Sequence, residues 1–198
     1  LYGNKYRSKK IKNIINEIES VMQINPRAAI YFTDDNLFCD RFHADELMQV
    51  LNEYKLTWYT NTDISFGSDI KQIKKAYESG CRQVLIGIES VNFKNLKGLD
   101  ESNFKSYSFS RYKELIDNIQ SCGIGVIGSF ILGLDEDDVN IFDKTIDFIL
   151  DTNLYGANIT INTPYPGTLF FQTMSKEKRI LTYDWNCYTI FNPVIIPK

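Results

Sequence analysis

Acidic and amide residues follow the apolar segments of this sequence, and they are the residues best able to do chemistry. The stretch "AAIYFTDDNLF" runs from Ala28 into Thr33, Asp34 and Asp35. Two adjacent carboxylates repel each other and are costly to desolvate, so they either lie in solvent or meet a cation or donor. One stretch does not decide between these alternatives.

The same pattern follows the other apolar segments. Their polar ends are Asn61 and Asp63, then Glu89 and Ser90, then "GLDEDD" at Gly133 to Asp138, and then Asn162 and Thr163 before "PYPGT". If the segments are parallel strands, their carboxyl ends meet at one rim, where α/β proteins bind ligands. Polar residues also begin ordinary loops, so the joint pattern is more informative than any single residue.

The elements that would position these residues alternate between helix and strand. Apolar spacing predicts helices at Ile11 to Val21 (with Ser8 as its cap), Ala44 to Leu51, Ile70 to Tyr77, Tyr112 to Ile119 and Val139 to Ile149. Strands are predicted at Ala28 to Phe32, "LTWYTNTD", "QVLIGIES", "GVIGSFILG" and "YGANITINT". Lys97 to Tyr107 is predicted to be a loop, His43 to lie in the first turn of a helix, and Leu85 and Ile131 to be buried.

Strands that are apolar on both faces and alternate with helices predict a parallel sheet covered by helices. Five strands are too few for an eight-stranded barrel. We therefore expect an α/β fold, a partial TIM-like barrel whose first strand lies upstream of Leu1. Residues 1–198 are expected to form one domain, with a C-terminal extension from about residue 168.

Composition narrows the classes of function. Lys plus Arg number 22 against 25 Asp plus Glu, and no basic stripe extends beyond "RSKKIK", so nucleic-acid binding has no electrostatic support. No apolar run approaches the ~18 residues of a membrane span and no secretion signal is visible, so the cytoplasm is the default compartment. The cysteines, Cys39, Cys81, Cys122 and Cys187, are too far apart for a CxxC-type motif, so no self-contained metal site is expected.

The composition of the rim suggests what it binds. Acidic and amide groups with few cations suit a ligand that carries amines and hydroxyls, such as an aminoacyl group and a ribose. Magnesium is the competing ligand, because Asp34, Asp35, Asp63 and Glu89 supply hard oxygen ligands. Sequence spacing leaves both alternatives open.

Five strings together resemble one enzyme family. "YFTDDNLF", "IGIES", "GSFILGLDEDD", "TPYPGT" and "YDWNCYTIFNPVIIPK" occur in the order and approximate spacing of radical S-adenosylmethionine (radical SAM) enzymes, over nearly the whole chain. The chain is most similar to the group that often carries an upstream cobalamin-binding domain. The resemblance implies a partial (β/α)6 barrel, S-adenosylmethionine as cofactor and, in the full-length parent, a 4Fe-4S cluster with cobalamin in an upstream domain.

Two departures from the family pattern matter. The CxxxCxxC loop that holds the 4Fe-4S cluster follows the family's first strand, and this chain has no such motif. Because "LYGNKYRSKK" resembles the segment after the third cysteine, we expect a fragment that begins past the cluster loop and is inactive alone. The second departure is "GLDEDD", where relatives commonly have a Gly-Leu-Pro-Gly-Glu type of turn, so Asp137 or another residue takes the usual role.

Carried over position by position, the resemblance implies roles for rim residues. Thr33, Asp34 and Asp35 meet the methionyl amine, with Asp63 on the same rim; Glu89 and Ser90 contact ribose or carboxylate; Ile131, Gly133 and Leu134 contact adenine; Asn162 and Tyr165 face adenine or substrate.

The implied reaction is formation of a 5'-deoxyadenosyl radical or transfer of a methyl group in the parent enzyme. Its substrate is an unidentified small molecule or peptide, and its reductant is a protein such as flavodoxin or ferredoxin. Two other classes stay open, a metal-dependent α/β-barrel lyase or hydrolase and a non-catalytic ligand-binding module. Magnesium-dependent activity without iron would indicate the lyase or hydrolase.

Overall fold

In the part of the chain that the structure describes, five parallel strands form one sheet, in the order in which they occur along the chain. The computed structural model describes residues 7–97 and 103–198. The strands are β1 (Ile30–Phe32), β2 (Trp58–Thr62), β3 (Cys81–Glu89), β4 (Gly125–Leu132) and β5 (Gly156–Ile161), and each pairs in parallel with the next. Parallel neighbours need crossover connections, and helices supply them here. The predicted parallel α/β sheet is therefore confirmed.

Helices connect and cover the strands. The described ranges contain α1 (Ile11–Ile24), α2 (Arg41–Tyr54), α3 (Ile70–Glu78), α4 (Phe93–Leu96), α5 (Phe104–Ser108), α6 (Tyr112–Ser121), α7 (Ile141–Asp151) and α8 (Leu169–Lys176). Gly80 and Gly123 follow α3 and α6 with φ angles of 103° and 88°, which favour glycine and end these helices. His43 lies in the first turn of α2, as predicted. Across the described part of the chain, every helix is too short or too polar to cross a membrane.

Two local predictions are wrong. Ser8 does not cap α1, because the helix begins at Ile11 with Lys10 at the N-cap position and no side-chain capping bond. The predicted loop from Lys97 to Tyr107 contains most of α5. This helix was missed because it is short and its two aromatic residues alternate with serines in a Ser-rich stretch. Residues 98–102 of that prediction lie outside the described residues.

Helix α7 packs on the sheet with a face that only partly matches the predicted apolar positions. Val139 precedes the helix and is 84% exposed, Phe142 and Ile146 are 57% and 52% exposed, and Ile149 packs partly buried against the core. Ile141 and Thr145 are the buried residues of α7. The helix is apolar around much of its circumference, so apolar spacing alone did not reveal which stripe meets the sheet.

The two faces of the sheet differ in burial. On β3, Val84, Ile86 and Ile88 are fully buried beneath the helices, while the alternate residue Leu85 is only half-buried on the opposite, open face. Ile131 of β4 is half-buried on the same open face. The expectation that Leu85 and Ile131 belong to the core is therefore wrong, because a continuous apolar run does not reveal which face the helices cover.

The chain after α8 returns to the ends of the strands. Arg179 is 8% exposed and donates to both carboxylate oxygens of Asp135, at 2.5 and 3.0 Å. The amide of Ile161 donates to the carbonyl of Ile190 at 2.7 Å, beside the end of β5. The C-terminal extension from about residue 168 stays a prediction, and these contacts show where the chain after α8 meets the ends of the strands.

Candidate functional site

A concave pocket opens at the carboxyl ends of the strands. Asp35, Asp63 and Glu89 line it together with Lys105 and Ser129, and its volume is about 310 Å³. Asp35 follows β1, Asp63 follows β2, Glu89 ends β3 and Ser129 lies on β4, so four strands contribute to it. We call this the rim pocket. Three of the predicted acids meet there.

Lys105 of α5 supplies a cation that the sequence interpretation did not include. Its Nζ donates to the carbonyl of Gly87 at 3.0 Å and to Oε1 of Glu89. The side chains of Lys105 and Glu89 are each 21% exposed, so the ion pair is partly removed from water. A partly buried charge is costly unless it is paired, and the contact between Lys105 and Glu89 provides that pairing. Lys105 thus adds one cation to a rim that was expected to carry few of them.

An unusual backbone conformation directs Glu89 into the rim pocket. Its φ angle is 67°, which is sterically unfavourable for a residue with a Cβ atom. The amide of Ser90 donates to the carbonyl of Ile88 at 2.9 Å, which closes a three-residue turn around Glu89. The register of β3 against β4 shifts between Gly87 and Glu89. Such irregularities at strand ends commonly re-aim a side chain at a functional site.

Both carboxylate oxygens of Asp63 accept hydrogen bonds from groups of the same chain. Its Oδ1 accepts from the amide of Ser65 at 2.7 Å, and its Oδ2 accepts from Nδ2 of Asn36 at 2.6 Å. The first bond caps the 3-10 turn Ile64–Ser68, and the second ties the loop after β1 to the end of β2. Asp63 therefore shapes the wall of the rim pocket.

Thr33 and Asp34 open into a different cavity. Both are exposed, and both line a groove of about 410 Å³ between α1, β1 and α2. The carbonyl of Asp34 accepts from Nδ2 of Asn61 at 3.0 Å, which fixes the loop. The structure thus separates Asp34 from Asp35. The adjacent carboxylates avoid a desolvation cost because they remain in solvent.

Ser90 and Asp137 belong to a network that joins the ends of β3 and β4. Oδ2 of Asp137 accepts from the amides of Gly133 and Leu134 at 3.0 and 2.9 Å, and Oδ1 accepts from Nδ2 of Asn95 at 2.6 Å. The same Asn95 nitrogen lies 3.4 Å from Oγ of Ser90, which is 3% exposed. Burial raises the pKa of Asp137, while these hydrogen bonds oppose that change. Asp137 therefore holds the turn after β4, and Ser90 contacts Asn95, which bonds to Asp137.

The other predicted residues lie along the same rim. Ile131 is half-buried on the open face, and Tyr165 is 44% exposed beyond β5. The amide of Asn162 donates to the carbonyl of Leu132 at 2.9 Å, and its Nδ2 lies 3.4 Å from the carbonyl of Gly133. Ile131, Asn162 and Tyr165 are not among the described residues that line the rim pocket.

A metal site is not formed by the part of the chain that the structure describes. In residues 7–97 and 103–198, no group of three or more His, Cys, Asp or Glu side chains is arranged to hold a metal ion. Cys81 is buried, and burial raises the pKa of its thiol to about 12, which disfavours the thiolate that binds iron. These residues do not fit a 4Fe-4S cluster. The ammonium of Lys105 beside Glu89 also argues against magnesium there.

A parallel α/β sheet with a pocket at the carboxyl ends of its strands is typical of barrel-type α/β proteins, and comparison with known proteins gives the family. Residues 2–149 match the family model described as the Radical SAM superfamily. The chain belongs to the radical SAM superfamily.

Curated relatives are similar over the whole chain. Bacteriochlorophyllide d C-12(1)-methyltransferase of Chlorobaculum tepidum is 26% identical over 200 residues, which cover 100% of this chain and 43% of that protein. Anaerobic magnesium-protoporphyrin IX monomethyl ester cyclase of Cereibacter sphaeroides is 25% identical over 199 residues, covering 98% of this chain and 31% of the cyclase. The chain therefore spans less than half the length of these relatives.

A solved structure shows the same fold. The radical S-adenosylmethionine methyltransferase TsrM of Kitasatospora setae, with cobalamin and a [4Fe-4S] cluster bound, superposes with a TM-score of 0.75 at 16% identity. The match covers 88% of this chain and 33% of TsrM. The predicted partial TIM-like barrel is confirmed.

Proposed function

We propose that the chain forms the S-adenosylmethionine-binding core of a radical SAM enzyme, of the methyltransferase or Fe-S oxidoreductase kind. The observation that carries the proposal is the meeting of Asp35, Glu89 and Lys105 in one pocket, in a chain of this family. An amino-acid group carries an ammonium and a carboxylate, so it needs both an acceptor and a cationic donor. The rim pocket offers both.

Each residue of the pocket has a role in this proposal. The exposed carboxylate of Asp35 accepts from the ligand's ammonium, and Lys105 donates to the ligand's carboxylate. Glu89, held in place by Lys105, accepts from the ribose hydroxyls. The adenine lies against Ile131 and the Gly133 turn, which Asp137 holds. When bound, S-adenosylmethionine supplies a methyl group or an adenosyl group for the reaction.

The proposal assigns the other cofactors to residues outside this chain. The four cysteines of the chain do not form a cluster motif, so the 4Fe-4S cluster requires other thiolates. Cobalamin in a further domain is inferred from similarity to TsrM. Because two of the curated relatives are a bacteriochlorophyllide methyltransferase and a magnesium-protoporphyrin ester cyclase, we infer methyl transfer to, or ring closure on, a largely apolar carbon skeleton. The reaction would take place in the cytoplasm, with a reductant such as flavodoxin or ferredoxin.

Calorimetric titration with S-adenosylmethionine tests the proposal. Glu89→Gln and Lys105→Met should each weaken binding by about 10- to 100-fold, the effect of losing a charge-assisted hydrogen bond of about 1.5–3 kcal/mol. Glu114→Gln is the matched control, because Glu114 of α6 forms an exposed ion pair with Arg111. Unchanged affinity in the two pocket variants, with both proteins folded by circular dichroism, would show that the ligand does not bind there.

A further inference from the structure

Aromatic side chains of α8 and of the segment after it gather around Trp185. The centroid of its ring lies 6.1 Å from that of Phe171, 6.4 Å from that of Tyr183 and 4.9 Å from that of Tyr188. We call these four residues the aromatic patch. Trp185 and Tyr183 are 54% and 59% exposed. A contiguous apolar surface left in solvent indicates a binding surface.

The turn that carries Trp185 is ordered by local hydrogen bonds. Oδ1 of Asp184 accepts from the backbone amide of Asn186 at 3.0 Å and from its side-chain amide at 2.8 Å. The hydroxyl of Tyr188 donates to the carbonyl of Thr182 at 2.9 Å. Because the rings are held before a ligand arrives, binding loses less conformational entropy.

The aromatic patch is attached to the same end of the sheet as the rim pocket. On one side of it, Arg179 donates to Asp135, just past the end of β4. On the other side, the carbonyl of Ile190 accepts from the amide of Ile161, the last residue of β5. Both ends of the segment are therefore fixed at the carboxyl ends of strands, where barrels of this kind bind ligands.

We propose that the aromatic patch binds a flat, largely apolar ring system of the substrate. That this ligand is the substrate rests on the proposed function, whereas the binding of a flat ring rests on the patch itself. Flat rings stack on aromatic side chains and bury apolar area against them. A second copy of the chain would also cover aromatic surface. Continuity with the ligand-binding end of the sheet favours a small-molecule ligand.

Titration of the full chain with protoporphyrin IX, a flat ring probe, followed by its absorbance and fluorescence anisotropy, tests the proposal. Wild type should bind it saturably. Trp185→Ala should weaken binding by at least about 5-fold, the low end for one lost stacked ring, and Trp185→Phe, which keeps a ring, should bind nearly as wild type does. Phe42→Ala is the matched control, since Phe42 is 91% exposed on α2.

Three results would overturn the proposal. They are equal affinity in wild type and Trp185→Ala, competition by the straight-chain amphiphile dodecyl maltoside at the same concentration, and a dimer in sedimentation that Trp185→Ala abolishes. Binding of S-adenosylmethionine to the same proteins distinguishes the two claims. If S-adenosylmethionine binds normally while protoporphyrin IX does not, only the role proposed for the aromatic patch is wrong. If the ring probe binds and S-adenosylmethionine does not, only the proposed function fails.

Discussion

At the scale of single residues, the acids of the rim could be predicted and their cation could not. Asp35 and Glu89 each follow a predicted strand, and parallel strands bring such positions together. Lys105 lies 16 residues from Glu89 in a Ser-rich stretch, and no local pattern indicates that it folds back onto the strand end. Carboxylates clustered without a cation would make Glu89→Gln neutral or stabilising. With Lys105 beside it, we expect that substitution to destabilise the protein modestly.

Gly87 controls the geometry of this ion pair. A Cβ atom at Gly87 would collide with Oε1 of Glu89 and lie 3.1 Å from Nζ of Lys105. Gly87→Ala should therefore displace two flexible side-chain ends and weaken S-adenosylmethionine binding several-fold, while the free energy of unfolding changes by less than about 1 kcal/mol. Calorimetric titration and urea unfolding measure the two effects.

Gly156→Ala is the control for Gly87→Ala, because a Cβ atom there would make only ordinary contacts, 3.5 Å from Ile127 at the nearest. We expect it to bind the ligand as wild type does. Equal loss of affinity in both variants, or a large loss of stability in Gly87→Ala alone, would contradict the role given to Gly87.

At the level of elements, alternation of apolar patterns identified each strand of the described sheet, but not which face of each strand the helices cover. Val84, Ile86 and Ile88 contact the helices, whereas Leu85 lies on the open face that borders the rim pocket. The sequence "QVLIGIES" is apolar at both sets of positions, so only the packed structure distinguishes them. The same limit explains the misassigned stripe of α7.

Truncation at neighbouring positions of β3 should separate the two faces. Ile86 is fully buried, so Ile86→Ala should lower the free energy of unfolding by about 2–5 kcal/mol through lost burial and a cavity. Leu85→Ala should cost less than about 2 kcal/mol, because a half-buried side chain leaves no closed cavity. Urea unfolding of both variants measures the difference, and equal costs would show that both faces are core.

The ion pair that attaches the C-terminal extension should respond to pH. Hydrogen bonds from Arg179 lower the pKa of Asp135. A lowered folded-state pKa contributes stability above the unfolded value of about 4, and that contribution is lost as the pH falls through the folded value. The difference in melting temperature between wild type and Asp135→Asn should therefore be largest at pH 5–6 and shrink toward pH 2.5.

Asp138→Asn is the control for this pH series. Asp138 lies 3.6 Å from Lys144, and both side chains are more than half exposed, so little stability depends on the pair. Thermal unfolding of Asp138→Asn should follow wild type at every pH. A difference in melting temperature between wild type and Asp135→Asn that stays constant across the pH series would show that the contribution of Asp135 to stability does not depend on its charge.

At the scale of the whole molecule, topology made the position of the site predictable. Five strands in sequential order bring their carboxyl ends to one rim, so a list of strand ends already indicated the region. Topology does not specify how each loop turns. Consequently Asp34 and Asp35 line different cavities. Ser90 is buried in the hydrogen-bond network with Asn95 and Asp137 and does not lie at the surface.

The central claim is that the rim pocket binds S-adenosylmethionine. The most direct test is a titration of the isotopically labelled chain followed by amide chemical shifts in NMR spectra. Binding in the rim pocket should give saturable shift changes at Asp35, Gly87, Glu89 and Lys105, extending to Gly133. Shift changes confined to the opposite end of the sheet, around Gln83, Gly125 and Tyr155, or no saturable change at any residue, would contradict it.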